Sequence, residues 1–479
     1  MPNCPGCAAF LERLDKSEAR AQESETRAQE SETRAAKLEA RVADLENRLN
    51  LNSQNSSKPP SSDPPWQPPA PPRHRSPRGP GGQPGHEGHH RQRLPPERVA
   101  HVIHFKPAHC AHCHAKLPAE AGPQDPPASW HQVAELPPQV AEITEYQAHA
   151  RTCPHCGKIT RAEIPAEIRA HSTGPRLAAA LSFLSGFCHC SKRCVQELAQ
   201  TLFDVPLALG TVTHLEEQMS AGLQAPHQEA LQAVRAAPVK NVDETGWFEK
   251  GDLRWLWVAA TVGVVVFQIH AKRGKKGLKA LLRQIIGIIC SDRWHAYADL
   301  PLSSRQVCWA HLKRDFERLY ELSAGTRPIG RAGRRAVKKL FALWKDFKDQ
   351  GIDRAQLQAR LEPVRSSLQR ALQRGAKGTD KTTQHFCRRI LKVYAALWTF
   401  AAVEGVEPTN NHAERMVRPA VLWRKGSFGN QSDAGCRFTE RILTVVQTLH
   451  LQGRPVLDYL CRAVAAQRAG TAAPALLVA

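Results

Sequence analysis

Residues 238–270 read PVKNVDETGWFEKGDLRWLWVAATVGVVVFQIH, and residues 286–292 read IGIICSD. The runs PVKNVDET, RWLWVAAT and VVVFQIH are apolar or β-branched and are broken at Lys250-Gly251 and Val262-Gly263, so they read as three strands joined by turns. The helical stretch GLKALLRQI separates the third strand from a fourth, IGIICSD. QVCW, residues 306–309, reads as a fifth and leads into the helix AHLKRDFERLYEL. Strands joined first by turns and then through helices predict a mixed sheet in an α/β layer fold. Residues 325–405 read almost wholly as helix and interrupt this pattern, which resumes with a helix around Glu414. A closing helix is expected over 440–465, with a frayed Ala-rich tail from Gly470.

Two of these strands carry an acid on them or just at their end. Asp243 follows PVKNV, and Asp292 follows IICS. An unpaired charge at the end of an apolar strand is costly to bury, and metal coordination would resolve the cost. A single such Asp is more often a cap or turn residue, whereas two on one sheet favour a site. Glu414 lies in TNNHAERMVRPAVLWRKGSFGN, a helix expected to start through the N-cap residues Thr409 and Asn410. Glu244 should face the other side of the strand from Asp243. Asp299 reads as a turn residue, and Glu404 is the alternative to Glu414 as third ligand. Hard carboxylate oxygens suit Mg²⁺ or Mn²⁺, and paired ions activate the nucleophile and leaving oxygen of a phosphodiester.

Cys110-Ala-His-Cys113 and Cys153-Pro-His-Cys156 are two C-x2-C knuckles with 39 residues between them. Together they form a ligand set for one tetrahedral structural Zn²⁺, closed and therefore not catalytic; free thiols are the alternative. Cys4 and Cys7 make a third knuckle, and Cys188, Cys190 and Cys194 read as small buried hydrophobes.

Further toward the N-terminus, Leu14, Ala21, Ala28, Ala35, Val42 and Leu49 recur every seven residues, beside Phe10, Ser17, Ser24, Ser31, Leu38 and Leu45. This heptad pattern predicts a coiled coil and self-association, although its Ala/Ser middle also fits a single solvated helix. Residues 51–100 hold thirteen prolines between Pro59 and Pro96 and read as a basic, unfolded linker. Residues 166–237 read as helices, either a helix-turn-helix or a plain connector.

The chain of 479 residues is long enough for several domains and carries 66 Lys+Arg against 45 Asp+Glu, a net charge of +21. That excess suits a polyanionic partner, above all nucleic acid. Lys272, Arg273, Lys275 and Lys276, then Arg334 and Arg335 in the helical insertion, then Arg418 and Arg424 after Glu414, are candidate phosphate contacts. Membrane association is not expected, since the most apolar run, Trp255 to His270, is too short to span a bilayer. The lack of an apolar leader and the fourteen cysteines suggest a reducing compartment.

The blocks NSSKPPSSD, VDETGW, CSDRWHAY, CWAHLKRDF and NNHAER followed by RPAVLWRKGSFGN, with the coiled coil and CxxC knuckles, resemble the insertion sequence 66 family of bacterial transposases over most of the chain. The Cys4–Cys7 knuckle and the Cys-rich 188–194 segment depart from that pattern. The resemblance implies a DDE transposase with a ribonuclease H-like core, with Asp243, Asp292 and Glu414 as catalytic triad and ligands of two Mg²⁺ or Mn²⁺ ions. It also implies supporting roles for Cys308 and His311, which match a (C/D)xxH signature, and for Asn411, Arg415 and Lys425. The implied organisation is a coiled coil over 1–50, a linker over 51–100, a zinc module over 101–165 and helices over 166–237. A catalytic core over 238–324 and 406–465 follows, with a helical insertion over 325–405 and a tail over 466–479. The implied activity is cutting of transposon ends and joining of the 3′-hydroxyl to target DNA, in a homo-oligomer in the bacterial cytoplasm, with double-stranded DNA and accessory proteins of the element as partners. A metal-dependent nuclease or resolvase on the same fold, and a zinc-containing DNA-binding regulator, are the alternatives.

Overall fold

The computed structural model describes residues 141–477 continuously, most of 93–136 and a few residues between 27 and 38. Most of the predicted coiled coil and most of the linker thus lie outside the described residues. The chain divides into two compact units, one of Tyr146–Glu197 and Leu207–Ala479 besides Met1–Pro68, the other of Pro69–Glu145 and Leu198–Pro206.

In the first unit, β1 (Ala150–Thr152) and β2 (Ile159–Arg161) form a small hairpin. Helices α1 (Ala166–Arg169), α2 (Pro175–Gly186), α3 (Lys192–Phe203), α4 (Leu209–Gly222) and α5 (Gln224–Ala236) follow. The sheet is built from β3 (Val239–Glu249), β4 (Asp252–Ala260), β5 (Val265–His270), β6 (Ile288–Ser291) and β7 (Arg305–Val307), in the order β5-β4-β3-β6-β7. β3, β4 and β5 pair antiparallel; β6 and β7 join parallel on the other side of β3. This is the mixed sheet expected from the turn-linked and helix-linked runs. α6 (Lys275–Leu282) makes the crossover to β6. Gly287, at φ +68°, lets β6 come alongside β3; a Cβ there would lie 2.1 Å from the Pro238 carbonyl oxygen.

α7 (Trp309–Leu322) leads into the helical stretch α8 (Arg327–Lys348), α9 (Arg354–Lys377), α10 (Lys381–Lys392) and α11 (Thr399–Ala402). This stretch shares one core with the sheet: Phe316 and Leu319 of α7 pack with Ile329, Leu340, Leu372 and Phe386, and the same cluster includes Cys290 and Val307. α8 can lie against α7 because Gly333 has no side chain; a Cβ there would be 2.0 Å from the Phe316 ring. α12 (Asn411–Ser427), α13 (Asp433–Leu451) and α14 (Val456–Arg468) complete the unit.

β5 is an edge strand whose outward N–H groups are capped by a helix. Val265, Phe267 and Ile269 donate to Thr448 Oγ1 (3.2 Å), Thr444 Oγ1 (3.0 Å) and Glu440 Oε1 (2.6 Å) of α13. The match is geometric: two strand residues advance about 6.6 Å and four helix residues about 6 Å. An edge that would otherwise template pairing with another chain is thereby closed. α2, α4 and α5 pack with α13 and α14, and α4 buries Val212, Leu215 and Met219.

Two expectations fail. The single closing helix over 440–465 is two, parted at Gly453 (φ +63°) and Pro455, which cannot continue a helix from the residue before it. The tail over 471–477 is docked: Leu476 is fully buried, and the N–H groups of Leu476 and Leu477 bond the two Glu229 carboxylate oxygens at 2.9 and 3.0 Å. Tyr459 adds a hydrogen bond to the Pro474 carbonyl at 2.7 Å, so backbone pairing outweighs the low apolar content of the tail.

Besides Leu198–Phe203 of α3, the described residues of the second unit include a 3-10 turn at Pro96–Arg98. Leu94 is bonded through both backbone groups to the Gln132 amide, at 2.8 and 3.2 Å.

Candidate active site

Asp243 and Glu244 are neighbours on the central strand β3, and the pleat sends them to opposite faces. Glu244 is buried, accepting from Tyr297 Oη at 2.7 Å and Arg273 Nε at 3.0 Å. Burial pushes its carboxyl up to about 7, against the pull of Tyr297 and Arg273. Arg273 is held between the Trp255 and Trp294 rings, 4.7 and 3.9 Å from their centroids. This guanidinium, a candidate phosphate contact, is half-buried and paired with Glu244.

Asp243 is half-buried on the opposite face, where Oδ1 accepts its neighbour's N–H at 2.9 Å. Asp292 follows β6 directly. Its Oδ1 accepts the Trp294 N–H at 2.8 Å, and its carbonyl accepts Arg305 Nη2 at 2.9 Å, fixing the turn in which it sits. The parallel register Ser291↔Val307 sets Cys308 beside Asp292, and the Cys308 N–H donates to the Ser291 carbonyl at 2.9 Å.

Glu414 lies in the first turn of α12. The start of this helix is fixed differently from the expected N-cap. Asn410 occupies the cap position, but its side chain makes no capping bond. It crosses to β3 instead: Nδ2 donates to the Val242 carbonyl at 2.8 Å, and Oδ1 accepts from Asn241 Nδ2 at 3.0 Å. Its backbone N–H donates to Cys308 Sγ at 3.1 Å. One buried amide thus ties the helix of Glu414 to the carbonyl just before Asp243 and to the end of β7. His412 Nε2 adds a contact to the Thr261 carbonyl at 2.7 Å.

Three elements therefore direct Asp243, Asp292 and Glu414 toward one region. The Asp243 carboxyl is held well above the usual carboxylate range, first by burial, then by the negative charge of Glu244, Asp292 and Glu414. Oε1 of Glu414 and Nδ1 of His311 are buried without a hydrogen-bond partner, 3.6 Å apart. That spacing is too long for a hydrogen bond. Nor is it an ion pair, because burial and then Arg314 hold the imidazole below its usual pKa and so neutral. Among the described residues, ligand atoms of Cys308, His311 and Glu414 lie within 4.8 Å of one another. Crowded carboxylates and orphaned acceptors are an environment that a divalent cation fits, since it would neutralise the charge and fill the empty coordination.

The other candidates scatter. Asn411, Arg415, Arg418 and Lys425 are exposed along α12, and Glu404 is exposed on the loop before it. Arg424 donates to the Gly246 carbonyl at 2.6 Å and to Thr245 Oγ1 at 3.1 Å, holding the far end of β3. Arg334 pairs with Glu317 at 3.1 Å, and Lys275 pairs with Asp299. Lys272, Lys276 and Arg335 are exposed. Sequence reasoning missed Tyr297, Arg305 and the cross-sheet role of Asn410. The N-N pair at 410–411 was a signal, but nothing local says which amide turns inward.

The two knuckles fold alike. Cys110 N–H donates to the Ala115 carbonyl at 2.9 Å and His114 N–H to the Cys110 carbonyl at 3.0 Å; the matching bonds from Cys153 to Lys158 and Gly157 to Cys153 are 2.8 and 2.9 Å. Each turn passes through a left-handed residue, His114 (φ 60°) and Gly157 (φ 69°). Backbone N–H groups of Cys113 and His112 lower the Cys110 thiol, and those of Cys156 and His155 lower Cys153. Cys188 and Cys194, expected to be buried, are exposed, and Cys190 is only half-buried: Cys188 and Cys190 lie in the short segment between α2 and α3, and Cys194 is on the outer side of the first turn of α3, next to buried Val195.

Residues 174–437, more than half of the chain, match the family model described as "Transposase IS66 family". Residues 11–92 match a family of unknown function, DUF6444. Among curated proteins the chain is similar to the "Uncharacterized protein y4qI" of Sinorhizobium fredii (strain NBRC 101917 / NGR234), 26% identical over 233 residues. That match covers 43% of this chain and 42% of the relative, so the chain spans less than half the length of that protein. Among the described residues no helix is long and apolar enough to cross a membrane.

Proposed function

Because the chain belongs to the IS66 transposase family, we propose that it is the transposase of an insertion sequence, a DDE enzyme that cuts transposon ends and joins their 3′-hydroxyls to target DNA. The observation that carries this reading is the convergence of Asp243, Asp292 and Glu414 from β3, the end of β6 and the first turn of α12, with the Asp243 carboxyl raised first by burial and then by the charge of Glu244, Asp292 and Glu414. The sheet order, antiparallel on one side of β3 and parallel on the other, supports a ribonuclease H-like core.

In this reading Asp243, Asp292 and Glu414 would hold two Mg²⁺ or Mn²⁺ ions, which would neutralise charge at the phosphorus and activate the attacking oxygen. Asp243 is kept in place by its strand, Asp292 by its turn and by Arg305, and Glu414 by the Asn410 clamp. Neutral His311, beside Glu414, supports that carboxylate without adding a positive charge. Water first cuts one strand at each end, leaving a 3′-hydroxyl; that hydroxyl then displaces a target-strand oxygen in-line. Cys110, Cys113, Cys153 and Cys156 are proposed as ligands of a structural Zn²⁺. The heptads of 1–50 are proposed to bring two chains together on paired ends, in the bacterial cytoplasm on nucleoid DNA.

The test is incubation of the purified chain with labelled transposon-end DNA and a target plasmid in Mg²⁺ or Mn²⁺, beside Asp292→Ala. Joined products from the wild type alone are expected. Cleavage without joining would point to a nuclease, and end binding without any metal-dependent product to a regulator.

A further inference from the structure

Asp292 and His311 also line one part of a cleft of about 380 Å³, whose remaining walls no step above uses. Those walls are the Asp292 turn with Arg293 and Trp294, then Arg314, Asp315 and Arg318 beyond His311 on α7, and Arg389 of α10. Four guanidiniums thus face two carboxylates. Asp315 accounts for two of the four: it pairs with Arg293 and lies 4.0 Å from Arg318. Arg293 is also held over the Phe386 ring, 5.6 Å from its centroid, so it braces the wall. Arg314 and Arg389 line the cleft from two different helices with no carboxylate bonded to either among the described residues. Cations gathered from a helix after the sheet and from the helical insertion are not the two sides of one solvated helix face. Guanidinium forks match phosphate oxygens in pairs, and a cleft of this charge draws in an anion.

Resting on the transposase reading above, we infer that this cleft is a subsite for a backbone phosphate of the DNA strand that flanks the scissile bond, held by Arg314 and Arg389 with Arg318 at the rim. The helical insertion then serves the chemistry, because it brings Arg389 to the wall opposite α7, so that a strand lying on Asp292 is gripped from both sides. The contact sets register at the cut and reads no base.

The experiment uses the full chain, labelled transposon-end duplex, and duplexes in which single phosphates near the cut are replaced by neutral methylphosphonates. Arg314→Gln and Arg389→Gln are compared with wild type for binding across a salt series in Ca²⁺, and for cleavage in Mg²⁺. Arg314→Lys tests whether the fork or the charge matters. Thermal unfolding checks that each variant folds. The expected result is at least a tenfold weaker binding for the double Gln variant, with the slope of log Kd against log salt reduced by about two. One methylphosphonate position should weaken wild type but have no further effect on the double variant. Folded Gln variants with wild-type affinity, salt slope and phosphate sensitivity would overturn the subsite while leaving Asp292-dependent cleavage, and with it the transposase reading, intact. Failure of wild type to bind or cut any end DNA would overturn both.

Discussion

Replacing Asn410 by Ala removes a side chain that is 1% exposed and bonded to β3 through both of its polar atoms. The Val242 carbonyl belongs to a fully buried residue, so its lost partner is not replaced by water. A stranded buried acceptor costs about 1–3 kcal/mol, and the bond to half-buried Asn241 adds about 1 kcal/mol, for a total of about 2–4 kcal/mol. Asn411→Ala is the internal control, because that residue is exposed one position later and should stay within about 0.5 kcal/mol of wild type. Urea denaturation of both variants reads the difference directly. The clamp also fixes the start of the helix that carries Glu414, and a displacement of about 1 Å at a reacting group can cost about 10²-fold in rate. Strand cleavage by Asn410→Ala at a temperature where it remains folded should fall by one to two orders of magnitude, roughly. Stability indistinguishable from that of Asn411→Ala would refute the clamp. A destabilised variant that cuts at the wild-type rate would show that the clamp holds the fold but not the carboxylate.

Thr444→Val keeps the shape of the side chain while depriving the buried Phe267 N–H of its acceptor; it should cost about 1–3 kcal/mol and speed amide exchange at Phe267, and unchanged protection there would discredit the helix-capped edge. His227 is held below its usual 6.5, first by burial, with Arg441, Arg437 and Arg235 adding to it and the Phe267 carbonyl opposing. The folded state therefore binds fewer protons than the unfolded chain, so this contribution is complete above pH 6.5 and is lost as pH falls below it. Melting curves of His227→Gln between pH 5 and 8, roughly, should lose part of the acid-side decline seen in wild type, and superimposable profiles would remove His227 from the account. Purified chain should carry about one Zn²⁺, and Cys110→Ser or Cys153→Ser should each abolish it; a full complement in both single variants would dismiss the four-cysteine set.

Much of the catalytic unit was legible because its signals are local. β-branched runs broken at Lys250-Gly251 and Gly263 specify hairpins wherever they occur, and acids on or just after apolar strands stand out against the cost of burying charge, although Asp243 lies inside β3 rather than at its end. The alternation that separates Asp243 from Glu244 follows from the pleat alone and is seen in the Tyr297 and Arg273 bonds to Glu244. The insertion was visible as uninterrupted helical periodicity.

What sequence could not assign was the partner of each polar group. Asn410 carries every mark of an N-cap, yet a buried carbonyl on β3 outcompetes the helix end for its amide. Arg273 and Arg424 look like phosphate ligands in a basic chain, but Glu244 and the Gly246 carbonyl take them inward. An Ala-rich tail has little apolar surface to bury, and it docks because Glu229, far away in the chain, offers two oxygens to its backbone. Period and propensity act between residues a few positions apart, so the sequence by itself determined which segments are strands and helices and where the acids sit on them. Pairing energies are decided between groups up to 295 residues apart, as in the bond from Arg468 to the Thr173 carbonyl. Only the tertiary structure brings such groups together, and desolvation then makes the difference between a satisfied and an orphaned atom worth more than any local preference.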